Sequence, residues 1–168
     1  RGDGSFEAPS PLTVGRGAQA VAIGDLNGDG KLDLVTGNSP SYLNPGSSVS
    51  VLLGHGEGTF EARVDYATDG TPQRIRLADM NGDGNLDVVM HDEFEVSVIF
   101  GYGPSGLGVE VSTSAELWIH ALDVGDMDGD GLLDAVVLDR GKGAVLRGGG
   151  DGTFQPALMF QLADDDFT

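Results

Sequence analysis

The sequence predicts an all-β fold: three four-stranded antiparallel β-propeller blades, preceded by one extra N-terminal outer strand, forming part of a larger propeller. Three observations lead there. A fourteen-residue segment, Ala22–Val35, recurs as Arg76–Val89 and again as Asp123–Val136. A glycine-rich turn ending in an aromatic residue recurs as Gly2–Phe6, Gly56–Phe60 and Gly150–Phe154, with a degraded copy at Gly103–Leu107. Between these markers apolar residues alternate with small or polar ones, the period of a half-buried strand, and no window carries a helical stripe. The 28 glycines among 168 residues fit a chain that must turn often.

Each repeat runs through the same elements. Its first strand is marked by Val21 and Ile23, by Ile75 and Leu77, or by Leu122 and Val124. An Asp-rich loop follows, then a β-rich run at 32–36, 86–90 and 133–138. A third strand is expected at 49–53, 96–100 and 144–147, and a fourth from each turn-ending aromatic or its substitute. The Asp loops begin at Asp25, Asp79 and Asp126, so the periods are 54 and 47 residues. The longer first repeat holds an extra loop with Ser39, Pro40, Tyr42, Asn44, Pro45 and Gly46. The blades are therefore assigned to residues 17–70, 71–117 and 118–168, with residues 1–16 as the outer strand of a preceding blade.

Chemistry is concentrated in the Asp loops. In the first, Asp25, Asn27, Asp29 and Asp33 stand at positions 1, 3, 5 and 9, and Lys31 supplies the backbone carbonyl of position 7. Oxygens at that spacing converge on a hard cation, and glycine at position 6 permits the reversal that brings position 9 back. The second loop repeats the set as Asp79, Asn81, Asp83 and Asp87 with the carbonyl of Asn85. The third has Asp126, Asp128, Asp130 and Asp134 with the carbonyl of Leu132. An EF-hand would need glutamate at position 12, where Thr36, Met90 and Val137 stand, and helices on both flanks. A single acidic turn could use the same residue types without a metal. Three copies in register predict three Ca2+ sites.

Composition limits the partners. With 27 acidic residues against 9 basic and a net charge of −18, nucleic acid and anionic membranes are disfavoured. The absence of cysteine excludes disulfides and thiol chemistry. No apolar run reaches the roughly 18 residues of a membrane span. The histidines His55, His91 and His120 occupy non-equivalent repeat positions and read as surface or packing residues, so catalysis is not expected. The Arg1-Gly2-Asp3 tripeptide belongs to the repeat's own turn.

The pattern Asp-x-Asn/Asp-Gly-Asp-Gly-x-x-Asp-Leu/Val-Val, followed by Val49–Gly54 and by Gly-x-Gly-Thr-Phe, resembles the FG-GAP/VCBS repeat over nearly the whole chain. That family forms the propellers of integrin α-subunits and recurs in secreted bacterial proteins and some fungal lectins. The resemblance implies calcium at the positions above, an extracellular or secreted setting, and a binding or adhesion role toward a protein or glycan. A lectin propeller, or an accessory propeller of a polysaccharide-active enzyme, is the alternative. Family propellers close with about seven blades, so the remaining blades are expected from a longer chain or from self-association.

Meander topology puts the Asp loops and the glycine-rich turns on one face of the disc. The extra loop with Tyr42 and the inter-blade link with Trp118 fall on the other, which makes Tyr42 and Trp118 the candidate partner-binding residues. Aligned on the first Asp of each loop, Arg76 and Asp123 are equivalent positions on neighbouring innermost strands. They are expected to pair, partly buried.

Overall fold

The computed structural model describes residues 11–39 and 46–162. Among these, twelve strands form three four-stranded antiparallel sheets, each a simple meander. The first sheet has β1 (Ala18–Gly24), β2 (Asp33–Asn38), β3 (Ser48–Leu52) and β4 (Val64–Ala67). The second has β5 (Arg74–Ala78), β6 (Asp87–His91), β7 (Glu95–Gly101) and β8 (Leu107–Ser114). The third has β9 (Ala121–Gly125), β10 (Asp134–Asp139), β11 (Lys142–Leu146) and β12 (Leu158–Gln161). They are β-propeller blades.

Burial follows position in the sheet. Every residue of β6 is buried and β7 nearly so, because a central strand of the middle blade is covered on both faces; its apolar run is therefore almost unbroken. Two cores lie between the sheets. Val35, Val49 and Val51 of the first blade meet Ile75, Val88, Met90 and Ile99 of the second. The opposite face of the second blade, through Val89, Val96 and Val98, meets Leu122, Ala135, Val137, Ala144 and Leu146 of the third. Equivalent residues differ in exposure according to this stacking. Ile75 and Leu122 are 2% and 4% exposed, whereas Val21 and Ile23 on β1 are 63% and 65% exposed.

The fourth strands depart from expectation in two blades. They begin at Val64 and Leu158, while Phe60 and Phe154 make isolated bridges to Gly54 and Gly148. After Phe154 the chain meets Pro156, which has no N–H to continue the ladder. In the middle blade Leu107 does open the strand, paired with Gly101. There the degraded turn closes as a short 3-10 helix, Gly103–Ser105, with Tyr102 N–H donating to the Gly106 carbonyl at 2.8 Å. Of the outer strand assigned to 1–16, residues 1–10 with the Gly2–Phe6 turn lie outside the described residues, and residues 11–16 form no strand. Tyr42 and most of the extra loop also lie outside the described residues.

Arg76 and Asp123 meet across β5 and β9, with Nε 2.9 Å from Oδ1. The guanidinium holds the Asp123 carboxyl below its ordinary range. The expected burial is corrected: the side chains are 44% and 76% exposed, because the inner strands border open solvent. A double-mutant cycle of Arg76→Ala and Asp123→Ala should therefore give a coupling of only about 0.2–1 kcal/mol, shrinking with added salt. A salt-insensitive coupling of several kcal/mol would contradict this geometry.

Candidate metal centres

Each Asp loop joins the first and second strands of its blade and is built by its own amides. Asp25 Oδ1 accepts from Gly28 and Asp29 N–H at 2.8 and 3.1 Å, and Oδ2 accepts from Gly30 N–H at 2.8 Å. Asp79 and Asp126 accept from Gly84 and Gly131 in the same way, at 2.9 and 3.0 Å. These position-6 glycines have φ of 83°, 87° and 88°, a left-handed conformation costly for other residues. The loop thus wraps around the position-1 carboxylate and fixes its direction.

Position 5 is held in turn by position 7. The Lys31 N–H, 2.9 Å from Asp29 Oδ1, keeps that carboxyl below its ordinary range; the Asn85 N–H does the same for Asp83 at 2.8 Å. Both are ionised at neutral pH. In the third loop Asp126, Asp128 and Asp130 offer oxygens all within 4.8 Å of one another, the one such group of three acids or histidines among the described residues. The first two loops carry Asn27 and Asn81 at position 3, so each gathers fewer carboxylates. Lys31 Nζ lies 3.5 Å from Asp29, and Arg147 Nε lies 3.2 Å from Asp128. The donors are oxygens without nitrogen or sulfur, the chemistry a hard divalent cation selects, so the residues fit calcium.

Position 9 is placed differently from its neighbours. Asp33, Asp87 and Asp134 are essentially fully buried. One oxygen of each accepts from the second residue of its own loop: Leu26 N–H at 2.9 Å, Met80 N–H at 2.8 Å or Met127 N–H at 2.9 Å. The other reaches across the blade to Gly54, Gly101 or Gly148 N–H, at 2.8, 2.8 and 2.9 Å. These carboxylates are struts that tie the Asp loop to the end of the third strand. Burial, with Asp83 and Asp79 nearby, pushes Asp87 above the ordinary carboxylate range. A carboxylate oxygen accepting one N–H keeps a lone pair, so a strut can also ligate. Reading the loops as ligand sets alone misses this role. The signal for it is the recurring glycine, where a side-chain carbon would run into the carbonyl of Leu32, Leu86 or Leu133.

On the opposite face, Trp118 is 44% exposed between buried Leu117 and Ile119. Its ring stands edge-on to Phe94, centroids 5.0 Å apart. The link carrying it is pinned to the β6–β7 turn by Ala115 N–H to the Phe94 carbonyl and Ile119 N–H to the Glu93 carbonyl.

Among solved structures, the chain is similar to an Agrocybe aegerita lectin, described as recognising non-reducing terminal N-acetylglucosamine. The two share 23% identity with a TM-score of 0.59, over 84% of this chain. The chain spans 37% of the length of that lectin chain. A second similar structure is the Photorhabdus luminescens Tc holotoxin pore, at 16% identity and a TM-score of 0.46, over 95% of this chain and 10% of that one. No curated protein matches the sequence. Residues 17–52 match the FG-GAP repeat model, and residues 41–90 match that of the FG-GAP-like repeat. Residues 17–90 thus carry FG-GAP and FG-GAP-like repeats, with the first two Asp loops inside the matches, and the third blade is built on the same loop pattern.

Proposed function

We propose that the chain is a calcium-stabilised propeller module that binds a protein or glycan outside the cell and does no catalysis itself. The observation that carries the metal is the gathering of Asp126, Asp128 and Asp130 oxygens within 4.8 Å, on a loop whose repeats keep the same spacing. Asp25, Asn27, Asp29 and Asp33 would hold one ion with the Lys31 carbonyl. Asp79, Asn81, Asp83 and Asp87 would hold a second with the Asn85 carbonyl. Asp126, Asp128, Asp130 and Asp134 would hold the third with the Leu132 carbonyl. Calcium neutralises like charges that otherwise repel within each loop. A rigid scaffold then presents the loops of the far face, where Trp118 is exposed. An extracellular or secreted setting, where calcium is abundant, would keep such loops loaded.

Calorimetry on protein stripped with EDTA tests this. About three calcium ions should bind per chain, and Asp29→Ala, Asp83→Ala and Asp130→Ala should each remove one site while leaving the others. Stripped protein that takes up no calcium would end the proposal.

A further inference from the structure

On the Asp-loop face, the second and third blades close their seam with two phenyl rings. Phe100, at the end of β7, and Phe154, which ends the glycine-rich turn, pack with Met80 and Val98. Phe154 bridges to Gly148 as Leu107 pairs with Gly101, so Leu107 is its equivalent in the second blade. Leu53, just before Gly54, is likewise the first blade's equivalent of Phe100, just before Gly101. The seam between the first and second blades thus has leucine at both places where its neighbour has phenylalanine.

Beside those two leucines lies a cavity of about 170 Å³. Leu26, Val51, Leu53, Val64 and Tyr66 form its first-blade wall, and the turn Gly103–Leu107 forms the other. Close-packed interiors leave few voids larger than a water molecule, so this one stands out. Its volume is near the roughly 150 Å³ of an apolar cavity that takes up benzene. It is well below the roughly 300–1,000 Å³ of small-molecule sites. One ring fits and little else does, which is the shape of a pocket for a partner's aromatic anchor. Solvent reaches it: Val64 is 53% exposed, and Glu61 and Ser105, also in the lining, are exposed.

Charge selects what flanks that ring. Glu61 makes no ion pair among the described residues, whereas the neighbouring Arg63 is already held by Asp65 at 3.0 Å. With an unpaired carboxylate in the lining and a net charge of −18, a segment with basic residues beside its aromatic is steered in and an acidic one is turned away.

We infer that this cavity is a docking site for a protein partner, seating one phenylalanine side chain flanked by lysine or arginine. The inference rests on the binding-module reading, narrows the partner to a protein, and adds a surface on the face opposite Trp118. The probe is the peptide acetyl-Lys-Phe-Lys-amide, titrated into the whole calcium-loaded chain and followed by methyl 13C shifts. Those of Leu26, Leu53 and Leu107 should move. Acetyl-Glu-Phe-Glu-amide should bind at least tenfold more weakly, and acetyl-Lys-Ala-Lys-amide should leave the three residues unmoved. Leu107→Phe, which restores the repeat's own aromatic, should raise the melting temperature and abolish the shifts at Leu26 and Leu53. Should that ring strain the seam, Glu61→Lys, at an exposed position, should still weaken the basic peptide and strengthen the acidic one. A basic peptide that moves none of these methyls overturns the inference, while the calorimetric count of calcium sites stands as a separate result. Equal shifts from the alanine peptide overturn it as well, since the ring is then not read. So does benzyl alcohol binding as tightly as the peptide, since the flanking charges then contribute nothing.

Discussion

Asp87→Ala is expected to cost about 2–5 kcal/mol, lowering the melting temperature by about 5–15 °C. The carboxylate is buried and accepts from Met80 and Gly101 N–H at 2.8 Å each. Alanine leaves both donors in a dry interior with nothing to bond, and each such orphan costs about 1–3 kcal/mol. Asp87→Asn should also destabilise, because an amide has one acceptor oxygen and its NH2 would face a second N–H. Thermal and urea melts in EDTA isolate the strut from any contribution of bound metal. A loss under about 0.5 kcal/mol, the size of an ordinary surface substitution, would show that the two hydrogen bonds do not hold the blade.

Calcium should act on the same melts from the other side. A ligand that binds only the folded state stabilises it by RT ln(1 + [L]/Kd), about 2.7 kcal/mol per site at a hundredfold excess over Kd. Three independent sites would give roughly three times that, with the melting temperature climbing as calcium is added. Magnesium should do less, since it demands a tight octahedral shell and gives up its waters reluctantly. A melting curve indifferent to both calcium and EDTA would remove the stabilising role.

The repeat made most of this structure readable. Three copies of one pattern located the Asp loops, the alternation at Val21/Ile23 and its equivalents, and the pairing of Arg76 with Asp123. What recurrence cannot show is direction. An aspartate at position 9 has the same identity whether it faces a metal or a backbone amide, and the glycines that receive the strut look like turn residues. Nor does recurrence show what happens once. Leu107 stands where the other repeats have Phe60 and Phe154, so comparing the copies marks it only as a departure. Its meaning comes from the cavity beside it, which is a property of the folded chain. The Arg76–Asp123 pair shows the same division: register put the charges together, but only the exposure of the two side chains in the fold tells that water reaches them.

The stacking of the blades carries a dynamic consequence. The middle sheet is roofed on both faces, by Val35 and Val51 on one side and Ala135 and Leu146 on the other. Its neighbours are covered on one face alone, leaving Val21 and Ile23 in water at one end and Leu158 and Met159 at the other. In a linear array each unit's protection is its own stability plus that of the contacts beside it. Amide protons of β6 and β7 can then reach solvent only when at least one whole sheet has come away, whereas those of β1 and β12 exchange through openings that leave the centre intact. Three near-identical blades taken by themselves are thereby graded in lifetime, most durable in the middle one, and further blades of the propeller would extend that protection outward.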